Sequence, residues 1–250
     1  MKIPRLLTAI ALGLTTSLAG FAQTTISTNP AVRMVIVGDS TVCNWPANDA
    51  RRGWGMFIQD YFQPDLQVIN LAKSGRSTKT FIKEHLWAAA LKEHPGYVLI
   101  QFGHNDSHAP SKPEATDANT DYKMYLRQYI DDARAIGAKP VLVTPMCRRN
   151  FKPDGKLADA LLPYANAMKE VAREKQVPLV DLNTASARLF ERLGPADSDK
   201  LANKPSDHTH FNEKGARAMA ALVMQELPGV EPSLKAYLKQ PLPTDAAGRN

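Results

Sequence analysis

The chain has 250 residues, 44% of them hydrophobic and 22% charged, so it is long enough for one domain or at most two. This composition excludes an intrinsically disordered chain, a collagen-like fibre and a disulfide-dense mini-protein. The formal net charge of +6 is spread along the chain without a dense basic stripe, so we expect no nucleic-acid partner, while a modest positive field would favour an anionic substrate.

Residues 1–22 have the pattern of a secretory signal peptide. Lys2 and Arg5 form a basic start, and an apolar run with small residues at its end follows them. A membrane anchor is the weaker interpretation, because the run is short and contains Thr and Ser. We therefore expect cleavage before Gln23 and an exported chain, periplasmic or extracellular, with no membrane partner.

Short apolar runs alternate with amphipathic stretches in the rest of the chain. Five runs are apolar on both faces and predict strands: Met34–Gly38, Gln67–Asn70, Tyr97–Phe102, Pro140–Thr144 and Pro178–Asp181. Six stretches predict helices: Gly55–Tyr61, Thr80–Lys92, Tyr122–Ile136, Tyr164–Lys175, Ala185–Leu193 and Asn212–Gln225. This order predicts an α/β fold, a three-layer α/β/α sandwich around a five-stranded parallel sheet, in which a ligand binds at the carboxyl ends of the strands.

We expect one folded domain over residues 23–227, followed by a tail over residues 228–250. The tail is rich in proline, which removes a backbone donor and interrupts regular structure. We therefore expect a loosely packed strap.

The chain has two cysteines, Cys43 and Cys147, each of which follows a predicted strand. They could form a disulfide in an oxidising compartment. The sequence does not show whether the two thiols lie close enough to pair.

Polar motifs follow the first two predicted strands. In GDST, residues 38–41, Ser40 stands at a strand-to-loop corner, where it could be a nucleophile if a histidine elsewhere supplies the base, or could cap a helix. In SGRST, residues 74–78, the Gly75 N–H could stabilise an oxyanion, or the motif could be an ordinary turn with a helix cap. Each motif alone leaves both interpretations open.

The third motif, GHND at residues 103–106, follows the third predicted strand. The side-chain amide of Asn105 would be a good oxyanion donor if it points into the cleft, and the alternative is an Asx-turn. The density of Gly, His, Asn and Asp directly after a buried strand favours a functional role. We expect His104 to contact substrate.

The fourth motif, DHTHFN at residues 207–212, precedes the last predicted helix. Asp207 and His210 are three residues apart, a spacing at which the carboxylate can orient the ring and stabilise its protonated form. His208 is too near Asp207 for this spacing and is expected to line the cleft. The alternative is that Asn212 caps the helix and the histidines are incidental.

The same segments also contain candidate metal ligands. These are His104, Asp106, His108, Asp207, His208 and His210. A metal site would leave Ser40 and Gly75 without roles, and the sequence shows no hydrogen-bonding partners to orient the ligands. We therefore expect neither a metal nor a cofactor; a chelator would abolish activity only in the metal alternative.

Together the four motifs resemble the SGNH (GDSL) hydrolase family, whose four blocks centre on Ser, Gly, Asn and His. The matching residues, in the family's order, are Ser40, Gly75, Asn105 and His210, with Asp207 beside the last. The resemblance covers residues 34 to about 225 and implies a flavodoxin-like fold. The chain contains no G-x-S-x-G motif, which disfavours the common α/β-hydrolase arrangement.

Further features resemble the rhamnogalacturonan acetylesterase branch of that family. They are GDSTV, Gly53-Trp54-Gly55, the GHND form of the third block, Thr144-Pro145 followed by Arg148-Arg149, and THFN near the end. The resemblance implies a secreted carboxylic ester hydrolase that removes acetyl groups from pectic polysaccharide. Cys147, directly before the arginine pair, departs from the pattern.

The expected mechanism is that of a serine hydrolase. Ser40 attacks the acetyl carbonyl, and His210, oriented by Asp207, takes its proton and later gives it to the departing sugar hydroxyl. The backbone N–H groups of Ser40 and Gly75 and the Asn105 amide hold the oxyanion. Water then releases acetate.

Five residues are expected to contact the acetylated polysaccharide or oligosaccharide: His104, Arg148, Arg149, Trp45 and His208. Guanidinium groups can bind galacturonate carboxylates, and an indole face can stack on a sugar ring, although the arginines could also be solvated surface charges. A hydrolase of longer acyl esters and a non-catalytic glycan-binding protein are the alternative functions. The sequence leaves the oligomeric state and the acetylated position open.

Overall fold

The computed structural model describes Met1 and residues 31–241. Apart from Met1, the predicted signal peptide lies outside the described residues. Among the helices of the described part of the chain, none combines the length and apolar character that crossing a bilayer would require.

Five parallel strands form one sheet in the order β2-β1-β3-β4-β5. They are β1 (Val32–Gly38), β2 (Leu66–Asn70), β3 (Tyr97–Gln101), β4 (Lys139–Val143) and β5 (Leu179–Val180). All five predicted strands are confirmed, and their ends move by one or two residues. The register pairs Gly38 with Gln101 and Ile36 with Asn70, so the loops after β1, β2 and β3 leave the sheet side by side.

Helices cover both faces of this sheet. The α-helices are α1 (Thr78–Lys83), α2 (Leu86–Leu91), α3 (Asp121–Ala135), α4 (Leu162–Lys175), α5 (Leu182–Asp199) and α6 (Glu213–Val230). Two 3₁₀ helices span Trp54–Tyr61 and Pro232–Tyr237. Met34 and Ile36 pack with α5, α6 and both 3₁₀ helices, whereas Val35 and Val37 pack with α1 to α4. The predicted three-layer α/β/α sandwich is therefore confirmed.

Two predicted helices are interrupted in the structure. The stretch Thr80–Lys92 forms two short helices, because His85 adopts a left-handed φ of 60° that a right-handed helix cannot continue. Helix α5 extends beyond the predicted Leu193 and is kinked at Gly194, whose φ is 72°.

The expectation of a loosely packed strap is wrong for the described part of the tail. Helix α6 continues through Pro228 to Val230, so the expected boundary falls inside a helix. Leu234 and Leu238 are buried, and Leu238 forms an antiparallel bridge with Phe62. These apolar side chains attach the segment to the core, which its proline content alone did not indicate.

Candidate active site

Ser40 lies in a tight turn directly after β1. Two following backbone N–H groups donate to the Asp39 carbonyl, and the Ser40 side chain lies at the carboxyl edge of the sheet, where the residue is 7% exposed. A Cβ atom at Gly38 would lie 2.6 Å from the Gln101 carbonyl oxygen. Only glycine therefore lets β1 approach β3 this closely just before the turn.

The structure brings Ser40 and His210 together from distant parts of the chain. The Ser40 Oγ lies 3.0 Å from the His210 Nε2, and the His210 Nδ1 lies 3.0 Å from the Asp207 Oδ2. The other carboxylate oxygen of Asp207 accepts the backbone N–H groups of Thr209 and His210, at 2.9 and 2.8 Å. This local turn fixes the carboxylate beside the ring and explains the three-residue spacing.

The charge state of Asp207 suits it to orient the imidazole. Burial raises the pKa of this carboxyl, but its hydrogen bonds with the backbone and ring of His210 and with Thr209 hold the pKa below its ordinary value. Because an ionised carboxylate only accepts, the His210 Nδ1 carries the proton. In the neutral form of this ring the Nε2 lone pair faces the Ser40 hydroxyl, the arrangement that general-base catalysis requires.

Three candidate oxyanion donors lie in the loops after β1, β2 and β3. The backbone N–H groups of Ser40 and Gly75 have no acceptor among the described residues. The Asn105 amide, largely buried, donates one N–H to the Arg76 carbonyl at 2.9 Å, which leaves its second N–H for a ligand. Gly75 has a φ of 79° and open space at its Cβ position, so its backbone conformation is what requires glycine.

Asp106 connects the GHND loop to the start of α1. Its carboxylate accepts the Thr78 backbone N–H and the hydroxyls of Thr78 and Thr116, at 2.5 Å and 3.0 Å for the two hydroxyls. Burial raises the pKa of Asp106 to about 7, despite these hydrogen bonds. Sequence reasoning considered this residue only as a metal ligand and missed its role in holding the two oxyanion loops together.

The metal alternative does not match the placement of its candidate ligands. The Asp106 carboxylate is engaged by threonines, and the exposed His108 is paired with Glu114 at 2.6 Å. Within residues 31–241, no three His, Cys, Asp or Glu side chains are grouped so that they could hold a metal ion.

The expectation that His104 contacts substrate is wrong. The residue is only 2% exposed, and its Nδ1 lies 3.2 Å from the Oδ2 of the fully buried Asp39. The imidazole therefore lies beneath the site, facing the turn that carries Ser40.

Arg149 is largely buried, although it lines the concavity that His208 also lines, and its predicted contact with a substrate carboxylate stays a prediction. The residue is 3% exposed, and its Nη2 donates to the carbonyls of Asp207 and His210, at 2.6 and 2.9 Å. Its guanidinium carbon lies 4.4 Å from the centre of the Phe211 ring. Arg149 also supports the loop that carries the histidine, and sequence alone did not show that this loop would fold over it.

Arg148 is half-buried between the third and fourth motifs. Its two terminal nitrogens donate to the Thr209 hydroxyl at 2.8 Å and to the His104 carbonyl at 3.1 Å. Burial lowers the pKa of Arg148, although the carboxylates of Asp39 and Asp207 oppose this effect. Because the guanidinium has five N–H groups, donors remain for a ligand, and substrate contact stays a prediction.

Trp45 forms one wall beside His210. Its indole N–H donates to the Ser40 carbonyl at 3.0 Å, and its ring meets the His210 ring edge-on with centres 6.2 Å apart. The Arg51 guanidinium, itself paired with Asp49, lies 3.6 Å from the centre of the indole. One indole face is therefore covered, and sequence reasoning missed Arg51, a basic residue in the loop just after the nucleophile.

His208 is exposed and lines a concavity of about 460 Å³ beside the fourth motif. Arg149, Phe151 and Ser206 line the same concavity. This position is compatible with the predicted substrate contact, which stays a prediction.

The two cysteines are free and buried in the structure. Burial raises the pKa of the Cys43 thiol to about 12 and raises that of Cys147 as well. Both are therefore protonated at neutral pH, and neither is suited to act as a nucleophile.

The fold and the four motifs agree with a match to a known family. Residues 36–218 match the family described as GDSL-like Lipase/Acylhydrolase. The chain belongs to this family, as the order of the Ser, Gly, Asn and His motifs predicted.

Two bacterial relatives are named as acetylesterases. Rhamnogalacturonan acetylesterase RhgT of Bacillus subtilis (strain 168) is 37% identical over 223 residues, which cover 83% of this chain and 94% of the relative. The probable rhamnogalacturonan acetylesterase YesY of the same strain is 38% identical over 199 residues, 77% of this chain and 91% of the relative.

A solved structure supports the fold. The acetylxylan esterase Axe2 of Geobacillus stearothermophilus superimposes with a TM-score of 0.64 at 18% sequence identity, over 81% of this chain and 96% of that chain. At this identity the likeness concerns the three-layer architecture alone.

Proposed function

We propose that this protein is a serine esterase that removes O-acetyl groups from plant cell-wall polysaccharide, with pectic rhamnogalacturonan as its substrate. The observation that carries this proposal is the line of hydrogen bonds from Asp207 through His210 to Ser40, each 3.0 Å long. The names of the two Bacillus subtilis relatives support the choice of substrate.

In the proposed reaction, the His210 Nε2 accepts the proton of the Ser40 hydroxyl as Oγ attacks the acetyl carbonyl. The oxyanion of the tetrahedral intermediate accepts hydrogen bonds from the N–H groups of Ser40 and Gly75 and from the free amide N–H of Asn105. The intermediate collapses when His210 protonates the departing sugar oxygen, which leaves an acetyl ester on Ser40. A water molecule, deprotonated by His210, then releases acetate and restores the hydroxyl.

The substrate contacts in this proposal come from the rim of the site. Arg148 retains guanidinium donors for the carboxylate of an acidic sugar, and a planar guanidinium can hold a carboxylate in a fixed orientation. His208 and the uncovered side of Trp45 would contact neighbouring sugar rings. We also propose that the protein is exported, because residues 1–22 have the pattern of a cleaved leader; N-terminal sequencing of the recovered protein would begin at Gln23.

A panel of esters tests the proposed substrate preference. We expect acetate release from acetylated rhamnogalacturonan to exceed release from acetylated xylan, and p-nitrophenyl acetate to be hydrolysed faster than esters of longer acyl chains. Faster hydrolysis of the long-chain esters would indicate the alternative acyl hydrolase. Polysaccharide binding without release of acetate would indicate a non-catalytic glycan-binding protein.

A further inference from the structure

A second pair of acidic and imidazole side chains lies beneath the candidate active site. The His104 Nδ1 and the Asp39 Oδ2 are 3.2 Å apart, and the two residues are 2% and 0% exposed. The His104 Nε2 is buried and has no partner among the described residues. Nothing in the proposed reaction uses this pair, because neither side chain reaches the surface of the cleft.

The Asp39 carboxylate fixes the turn that carries the nucleophile. Its Oδ1 accepts the Thr41 backbone N–H at 2.9 Å and the Thr41 hydroxyl at 2.7 Å, so the residues on both sides of Ser40 are joined through one carboxylate. Burial raises the pKa of Asp39, but the attraction of His104 and the hydrogen bonds of His104 and Thr41 hold it below its ordinary value. The ionised Oδ2 therefore accepts a hydrogen bond from the His104 Nδ1.

This carboxylate belongs to a longer buried chain of hydrogen bonds. The Trp54 indole N–H donates to the Gln101 Oε1 at 2.7 Å, and the Gln101 amide donates to the Thr41 Oγ1 at 2.8 Å. All of these side chains are buried. The His104 ring is the last member of this series of hydrogen-bonded side chains, and it belongs to the GHND loop.

The His104 backbone connects the same point to the rest of the site. The next residue is Asn105, whose amide is a proposed oxyanion donor. The His104 carbonyl accepts a hydrogen bond from Arg148, which also donates to the Thr209 hydroxyl in the loop that carries His210. His104 thus links three parts of the site: the turn that carries Ser40, the Asn105 amide and the loop that carries His210.

We propose that His104 is a positioning residue that fixes Asn105 against the nucleophile turn through Asp39 and thereby sets the geometry of the oxyanion hole. This inference rests on the proposed esterase activity. A buried ion pair, or a buried ring nitrogen without a partner, stabilises the folded protein less than apolar side chains of similar size would. A contribution to folding stability therefore does not explain why Asp39 and His104 occupy these positions. Oxyanion donors, in contrast, act only at well-defined distances from the developing charge.

The proposal is tested with paired substitutions at position 104. Asn places an amide nitrogen close to the position of the imidazole Nδ1, whereas Leu removes the donor. We expect His104→Leu to lower kcat for p-nitrophenyl acetate by about 10- to 10²-fold, up to the order seen on loss of an oxyanion donor, with KM changed less than about twofold. We expect His104→Asn to retain most of the wild-type kcat.

The matched control is His108→Asn, in the same loop, where the exposed imidazole pairs with Glu114. We expect no change in its kcat. Asp39→Asn keeps the shape of the side chain, but with its one oxygen held by the Thr41 N–H and hydroxyl it turns an amide nitrogen toward the protonated His104 Nδ1. It should reproduce the loss of kcat if His104→Leu fails to fold.

A double-mutant cycle with Asn105→Ala separates positioning from general destabilisation. If His104 acts through Asn105, the His104→Leu/Asn105→Ala variant should be no slower than Asn105→Ala alone. A double variant whose loss equals the product of the two single losses, or a folded His104→Leu variant with wild-type kcat, would overturn the proposal. If the wild type releases no acetate, the proposed function fails, while the rate at which a phosphonate ester labels Ser40 still measures the effect of His104.

Discussion

The buried environment of Asp106 makes the stability of the folded protein depend on pH. Its carboxyl group is fully buried where the GHND loop meets α1, and its pKa of about 7 lies well above the ordinary value of 3.8. The folded protein therefore binds a proton at this residue between these two values, whereas the unfolded chain does not. The stabilising contribution of this proton is fully present below pH 4 and is lost as the pH rises through about 7.

We expect the free energy of unfolding to decrease between pH 5 and pH 8 more steeply in the wild type than in Asp106→Asn. The amide cannot lose a proton, so this part of the pH dependence disappears. Urea unfolding at both pH values measures the difference, and Asp65→Asn, an exposed acid before β2, is the matched control. Equal pH slopes in the wild type and Asp106→Asn would show that Asp106 is not protonated in the folded protein.

The Asp207 carboxylate determines which nitrogen of His210 carries the proton. Asn at position 207 would offer a donor to the His210 Nδ1 and favour the tautomer whose Nε2 carries the proton, so the ring could no longer accept the Ser40 proton. We expect kcat for acetyl ester hydrolysis to fall by about 10³- to 10⁴-fold with the fold intact. The control is Asp197→Asn, an exposed acid paired with Lys200, which should retain full activity. A less than tenfold loss in Asp207→Asn would argue against the proposed role of the carboxylate.

At the scale of elements, the start of α6 determines where the fourth motif lies. The Asn212 Oδ1 caps the helix by accepting the Gly215 N–H at 3.0 Å, and the Asn212 amide donates to the carbonyls of Lys200 and Ala202. The residue thus joins α6 to the segment that follows α5. Asn212 therefore caps the helix, and Asp207 and His210 also form a pair. The two interpretations are compatible, because the cap fixes the loop that carries Asp207 and His210.

We expect Asn212→Ala to lower the free energy of unfolding by about 1–2 kcal/mol, the usual effect of losing an N-cap. It should also lower kcat, because the base loop loses its attachment to the helix. Urea unfolding and ester hydrolysis measure the two effects, with Asn119→Ala, an exposed residue before α3, as the control. Stability and kcat that both match the control would contradict this account of the loop.

At the scale of the whole molecule, the sheet topology assembles the site. Strands β1, β2 and β3 lie side by side, so short-range motifs at their carboxyl ends become neighbours, and α6 brings the fourth motif to the same edge. The sequence was sufficient to predict the five strands, because each is a short run that is apolar on both faces. It was also sufficient to predict that the four motifs lie at one edge of the sheet, because each follows a strand end or precedes a helix.

The direction in which individual side chains point could not be predicted from the local sequence pattern. His104 points beneath the site because Asp39, far away in sequence, accepts its hydrogen bond, and Arg149 is buried because Phe211 and the 207–210 loop close over it. The same applies to the tail, where Leu238 pairs with Phe62. These contacts join residues from separate parts of the chain, and local pattern carries no information about them.

The most direct test of the central claim is acetate release by Ser40→Ala. Ser233→Ala is the control, since this hydroxyl bonds Tyr97 at the start of β3, the opposite edge of the sheet. With acetylated rhamnogalacturonan as substrate, we predict that Ser40→Ala loses nearly all turnover while folding normally and that Ser233→Ala keeps it. Acetate release by Ser40→Ala at the wild-type rate would contradict the proposal that this hydroxyl attacks the ester.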